Sequence, residues 1–212
     1  MSTTRRNFLS LGLSLGLGSL IACGARGSAV ACGALAPTPQ IPDDDDAPPP
    51  AALCALTAAN IEGPFYKPGA PSRVVLATAR DAGERLVIGG TVRTTSCEPL
   101  ANAVLDIWHA DARGGYDNEG WGMRGTMVTD ARGRWQLRSI VPGRYLNGRR
   151  YRPTHVHVKL RARGHRELTT QLYFADDPYN DGDDFIIPTL IMAHRKVDDV
   201  RRAAFDFVLA AT

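Results

Sequence analysis

The chain from residue 53 to residue 212 predicts an all-β fold, an antiparallel β-sandwich of short strands with long loops. Three features carry that expectation. Short segments of strand composition recur along the chain, turn residues punctuate them, and no sustained helical period runs between them. Such a pattern argues for a sandwich or a barrel.

The expected strands follow in order. "ERLVIGGTVRTT" (84–95) comes first, and "AVLDIWHA" (103–110) second, with Trp108 flanked by Leu105 and Ile107 as a core ring and His109 on the face opposite Asp106 and Trp108. "RGTMVTD" (124–130) and "RWQLRSIV" (134–141) are separated by the turn Asp130-Ala131-Arg132-Gly133, and Pro142-Gly143 closes the second of them. "THVHVKLRA" (154–162) places His155, His157 and Lys159 on one face and Val156, Val158 and Leu160 on the other, because side chains alternate in an extended chain. "LTTQLYFA" (168–175) and "AAFDFVLAA" (203–211) complete the set. Only a turn or two of helix is expected, near "SRVVLATARDAG" and "HRKVDDVRRA".

Ahead of this domain the sequence has a different character. Residues 1–22 form a signal peptide: Thr4-Arg5-Arg6-Asn7-Phe8-Leu9 resembles a twin-arginine export signal, and a short Leu, Gly and Ser run follows. Leu20-Ile21-Ala22-Cys23 is similar to a bacterial lipobox, so Cys23 is expected to carry lipid; Ala29-Val30-Ala31 offers an ordinary cleavage site as the alternative. Residues 23–52 are rich in Pro and Asp, cannot bury enough surface to fold, and read as a tether, its Asp43 to Asp46 run serving solvation. The expected location is exported and bacterial, either periplasmic or membrane-anchored through that lipid.

Loss of Arg5 and Arg6 with the signal lowers the formal charge from +3 to +1. No basic stripe remains to neutralise a phosphate backbone, which excludes nucleic acid as the partner. Of the four cysteines, Cys54 and Cys97 lie in the domain, and an oxidising compartment would allow them to pair.

No serine nucleophile elbow, Gly-rich phosphate loop or CxxC is present. What remains are four candidates for a metal, Tyr116 in "RGGYDNEG", Tyr145 in "VPGRYLNG", and the one-faced pair His155 and His157; taken singly, each tyrosine also reads as a half-packed turn ring and the histidine pair as the polar face of an ordinary strand. Two phenolates and two neutral imidazoles form a hard, dianionic oxygen and nitrogen set. It favours a trivalent ion such as Fe(III), whereas zinc sites are typically built from Cys, His and carboxylate. A trivalent ion would lower the phenol pKa from about 10, so that phenolate exists at neutral pH.

The motifs "NIEGPFYKPGAP" (60–71), "LANAVLDIWHADARGGYDN" (100–118), "RGTMVTDARGRWQLRSIVPGRY" (124–145) and "RPTHVHVKLRARGHRELTTQLYFADDP" (152–178) resemble, in content and order, the intradiol ring-cleavage dioxygenases. These are non-haem Fe(III) enzymes that open catechols between the two hydroxyls with dioxygen, giving a muconate-type diacid. The resemblance implies iron held by Tyr116, Tyr145, His155 and His157, with Tyr145 leaving as the base when a catechol binds. It implies that Arg152 stabilises negative charge on the ring, a role suited to a planar, permanent cation. Gln171 matches a glutamine behind the histidines, and Gly63, Pro64 and Tyr66 match a wall of the substrate pocket. Tyr151 competes with Tyr145 by position, but "PGRY" is the better match to the family. The chain lacks the long helical N-terminal segment that gives catechol 1,2-dioxygenases their dimer contact, so its core resembles the protocatechuate type and its oligomeric state stays open. Two rival readings are an exported β-sandwich binding module without turnover and a surface lipoprotein.

Overall fold

The computed structural model describes residues 54–212. The expected signal peptide (1–22), the expected lipidation site Cys23 and the expected tether (23–52) lie outside the described residues.

Twelve strands build two five-stranded sheets and one hairpin. The first sheet centres on β1 (Arg85–Thr94), which pairs antiparallel with β4 (Arg134–Ile140) on one side. On its other side lie β11 (Val200–Ala204) and β12 (Phe207–Leu209), both parallel to it. These two strands keep one register across their interruption. The break falls where a Cβ on Gly90 would lie 1.8 Å from the Phe205 carbonyl oxygen, and where the Asp206 side chain takes the Thr91 amide at 2.7 Å in place of a backbone partner. β10 (His194–Val197) pairs antiparallel with β11 at the edge.

The second sheet runs β3 (Arg124–Val128), β2 (Val104–Trp108), β7 (His155–Arg161), β8 (Leu168–Phe174) and β9 (Ile191–Met192). Its first four strands pair antiparallel, and β9 runs parallel to β8. β5 (Leu146–Asn147) and β6 (Arg150–Tyr151) form a separate hairpin.

The sandwich is therefore the expected one, with strands where alternation placed them, but three of its pairings are parallel. The C-terminal strands return beside β1 only after the chain has built the other sheet, a crossover long enough for parallel pairing. A second difference lies in "HRKVDDVRRA", where a helical turn was expected. It is the β10–β11 hairpin, turning at Asp198 and Asp199, both with positive φ (48° and 60°). Aspartate tolerates that conformation better than most residues, which suits a two-residue hairpin turn. The segment "SRVVLATARDAG" makes no helix either. It bridges Ser72 to Thr126 and Val75 to Arg138, joining the edges of the two sheets.

The core lies between the sheets. Leu86, Ile88, Val92, Trp135, Leu137 and Phe207 face Leu105, Ile107, Val156, Val158, Leu160, Leu172 and Phe174. Truncating one such leucine or isoleucine to alanine typically costs about 2–5 kcal/mol. Alternation then sends Asp106, Trp108, His155, His157, Gln171 and Tyr173 to the outer face of the second sheet, yet all are buried. Their cover is the N-terminal strap, residues 54–67. Asn60 donates its backbone N–H to the Thr169 carbonyl (2.9 Å), Thr170 donates to the Ala58 carbonyl (2.8 Å), and the Gln171 amide donates to the Ile61 carbonyl (2.8 Å).

Cys54 and Cys97 are joined, with Cα atoms 5.2 Å apart, and they fasten the root of the strap to the turn after β1. The bond spans 43 residues, and closing a loop of that size is worth about 2–4 kcal/mol. Denaturant unfolding with and without reductant is expected to differ by that amount, and a Cys54→Ser variant should match the reduced form. Equal midpoints would show that the bond contributes nothing.

Candidate metal centre

Two glycine contacts bring the tyrosines together. Tyr116 sits on the loop after β2, where the Asp111 carboxylate accepts the amides of Arg113 and Gly115 at 2.8 and 2.9 Å. Tyr145 sits on the loop after β4, whose Gly143 amide donates to the Asp111 carbonyl at 2.8 Å. Gly114 has φ +89°, and a Cβ there would fall 2.3 Å from the Arg144 carbonyl oxygen, so the loops touch backbone to backbone. Gly114→Ala is expected to reduce stability and metal content together, since alanine at positive φ is strained and the neighbour is rigid. Gly148→Ala is the control: its φ is +64° but nothing lies within 4 Å, so it should cost stability alone. Equal metal content in both variants would overturn the role given to this contact.

The histidines arrive on β7. His155 Nδ1 lies 2.6 Å from the Pro153 carbonyl oxygen, which can only accept, so Nδ1 carries the proton and Nε2 presents a lone pair. That Nε2 lies 3.3 Å from the Tyr116 hydroxyl, and His157 Nε2 lies 3.1 Å from the same oxygen. Unlike His155, His157 has a buried Nδ1 with no hydrogen-bond partner. Packing orients its ring instead: it stacks on Trp108 (centroids 4.8 Å apart, 10° between planes), and a Cβ on Gly63 would lie 3.3 Å from its Cε1. Tyr145 completes the group, with its ring 5.7 Å from His155 and 5.8 Å from Tyr116 between centroids.

Electrostatics suit a cation at this point. Burial, reinforced by Arg152, pushes the His155 imidazole down to about 3. Burial, then His155 and Arg152, carries His157 well below its ordinary value. Both imidazoles are thus neutral at physiological pH and free to act as ligands. Burial, then Tyr145, drives the Tyr116 phenol far above its usual range, so an ionised phenol here needs a positive charge beside it. Among the described residues no three of His, Cys, Asp and Glu gather in a metal-sized group. The donor set is therefore two phenols and two imidazoles, which fits a hard trivalent ion and not a thiolate-loving one.

Arg152 lies beside this centre, 4% exposed. Its Nε donates to Asp183, and Nη2 donates to Gln171 Oε1 (2.9 Å) and the Tyr173 hydroxyl (3.2 Å). Burial alone would lower its pKa, but Asp183, Tyr173 and Tyr145 raise it above the usual value. Nη1 makes no hydrogen bond among the described residues and is the donor left for a ligand. Gln171 stands opposite His157 in the β7–β8 register, and its amide holds Arg152 and the strap.

The pocket wall differs in part from expectation. Gly63 lies against His157 as expected, whereas Pro64 is exposed. Tyr66 turns its hydroxyl onto Asp106 at 3.0 Å, away from the metal ligands, because that buried carboxylate needs donors. The neighbouring Phe65 packs at the centre, stacked on Tyr116 (4.3 Å, 15°) and edge-on to Tyr145 (6.0 Å). Arg124 locks it there, donating to the Phe65 carbonyl (2.6 Å) and the Asp117 carbonyl (2.9 Å). Phe65, Arg124, Tyr173 and Asp183 are the site residues that sequence reasoning missed. Trp108 is buried as expected, at 2% exposure, and its ring backs His157.

Tyr151 is 48% exposed, with its ring against Tyr179, and takes no part in the centre. His109 is structural: its ring nitrogens meet Ser139 Oγ and the Ala110 carbonyl, both at 2.7 Å.

A sheet face that presents two histidines, with two tyrosines brought to it by facing loops, is a donor set that suits a single metal ion on a β-sandwich. The model of the Dioxygenase family matches residues 61–211. The chain is 35% identical over 158 residues to catechol 1,2-dioxygenase from Acinetobacter baylyi, covering 63% of this chain and 50% of that protein. It is 34% identical over 176 residues to chlorocatechol 1,2-dioxygenase from Pseudomonas putida, covering 72% and 68%. Among solved structures, the dioxygenase domain of a dioxygenase carbohydrate-binding protein fusion from Streptomyces sp. SirexAA-E superposes with a TM-score of 0.71 at 41% identity, over 74% of this chain and all of that one. 3-Chlorocatechol 1,2-dioxygenase from Rhodococcus opacus 1CP gives 0.71 at 29% identity, over 74% and 73%. The chain spans about half the length of the Acinetobacter relative. It belongs to the intradiol ring-cleavage dioxygenase family.

Proposed function

We propose that this domain cleaves a catecholic ring between its hydroxyls with dioxygen, both oxygen atoms ending in a muconate-type dicarboxylic acid. Non-haem Fe(III) would be held by Tyr116, Tyr145, His155 and His157. The observation that carries the reading is the Tyr116 hydroxyl lying within 3.3 Å of both histidine Nε2 atoms with Tyr145 beside them. When bound, Fe(III) supplies the Lewis acidity that ionises phenols and catechol and opens the ring to dioxygen.

The chain's own residues do the rest. Tyr145, whose oxygen makes no hydrogen bond among the described residues, would as a phenolate take a catechol proton at that oxygen. Arg152 turns Nη1 toward the ring and stabilises the negative charge that develops there, held in position by Asp183, Gln171 and Tyr173. His155 and His157 stay neutral and fixed, one by a hydrogen bond and the other by stacking. Phe65 and Trp108 keep water from the ligand side of the tyrosine and histidine rings.

The test is a visible spectrum with an iron assay, before and after anaerobic addition of catechol, followed by oxygen uptake. A phenolate-to-iron charge-transfer band that shifts with catechol, and one dioxygen consumed per catechol, are expected. A protein that stays colourless after iron loading overturns the assignment.

We also infer export, with lipid on Cys23. The Cys54–Cys97 bond supports an oxidising compartment. Cell fractionation with fatty-acid labelling of the wild type and of Cys23→Ala tests this, and a cytoplasmic, unlabelled wild type would refute it.

A further inference from the structure

We propose that Asp177 is a positioning residue which clips the loop carrying Tyr145 to the strand carrying His155; the inference rests on those two side chains being metal ligands. Asp177 follows β8, and its carboxylate is 3% exposed. Oδ2 accepts the Thr154 backbone N–H at 3.1 Å and Arg144 Nε at 3.0 Å. Oδ1 accepts the same Arg144 Nε at 3.2 Å and the Tyr179 N–H at 3.0 Å. Arg144 immediately precedes Tyr145, and Thr154 immediately precedes His155. One carboxylate thus holds the residue before each of two ligands on separate elements.

The space behind these residues makes that link necessary. Gly143, Arg144, Thr154 and Asp177 line a cavity of about 580 Å³ that none of the four metal-binding residues enters. Apolar packing does not fill the back of the Tyr145 loop, so its register against β7 depends on directional bonds. The Gly143–Asp111 bond fixes the loop to its neighbour carrying Tyr116, and the Arg144–Asp177–Thr154 bridge fixes it to β7. A charged acceptor with four hydrogen-bond contacts is stronger and more directional than a neutral one. Arg144 adds a face contact with the Tyr179 ring, 5.4 Å from guanidinium carbon to centroid, which braces the same clip.

The experiment compares wild type with Asp177→Asn and with Arg144→Met. The second variant changes a side chain that is 41% exposed, so it folds even where the first is damaged. Three quantities are read: the rate of iron loss to a competing chelator, the charge-transfer band per bound iron, and hydrogen exchange at the Thr154 amide in the metal-free protein. Both variants are expected to lose iron about 10- to 100-fold faster than wild type, with a shifted band and faster Thr154 exchange. A variant that melts at lower temperature but keeps the wild-type iron loss and band shows Asp177 to be merely structural, and the proposal fails. Faster Thr154 exchange in a chain that binds no iron even as wild type would remove the metal reading and leave the clip standing.

Discussion

Replacing Arg152 with methionine is expected to lower kcat/KM for a catechol by about 10²- to 10³-fold, the usual loss when one preorganised donor to developing negative charge is removed. The same change should destabilise the fold by about 3–5 kcal/mol, because Asp183 is left buried and uncompensated. The two side chains are 5% and 3% exposed, so solvent screens neither. The double variant Arg152→Met, Asp183→Leu separates the effects. It should regain most of the stability, since no lone charge remains in the interior, and should regain none of the activity. Denaturant melts beside steady-state kinetics read both. If the double variant recovered activity, or the single one kept it, Arg152 would be a structural cation and not the group that faces the ring.

Tyr116→Phe is expected to have the other large effect, loss of most bound iron. Its hydroxyl lies within 3.3 Å of both histidine Nε2 atoms, so no other side chain replaces it. Phenylalanine keeps the ring stacked on Phe65, so stability should change little while metal content falls sharply. Tyr145→Phe should differ: its hydroxyl makes no hydrogen bond among the described residues, and the variant is expected to keep more iron, with an altered band and slowed proton removal from catechol. Metal assay and visible spectra of the two variants check the asymmetry. Equal retention of iron in both would remove Tyr116 from the centre.

Much of this architecture could be read from residue order alone. Strands β1, β2, β3, β4, β7 and β8 announce themselves by alternation, because one face of each meets a dry core. The pair His155 and His157 stood out for the same reason, since alternation puts two imidazoles on one face of a strand and Val156 and Val158 on the other; that the histidine face is also buried, beneath the strap, is visible only in the fold. The β10–β11 hairpin was misread because both its faces are largely polar, leaving no alternation, and because an Asp-Asp turn is a weak signal beside Asn-Gly. Tyr66 came from the resemblance alone and Phe65 was not singled out, because in an irregular strap sequence position does not fix which ring turns inward. Here the buried Asp106 decides it by drawing the Tyr66 hydroxyl. Asp183 gave no signal at all. It reaches Arg152 from 31 residues away, and nothing local marks one aspartate in "NDGDDF" as buried.

The tyrosine and histidine cluster occupies the outer face of a sheet beneath a peptide cover, while the apolar core fills the opposite face. The two faces share the backbone of β2, β7 and β8, and the buried Arg152–Asp183 pair ties the stability of the fold to the site face as well. Sequence drift in the cover can reshape what enters the pocket without touching the residues that keep the sandwich folded, and drift in the core can retune folding without moving a ligand. A scaffold of this construction can change what its pocket admits by rewriting strap residues such as Gly63, Phe65 and Tyr66.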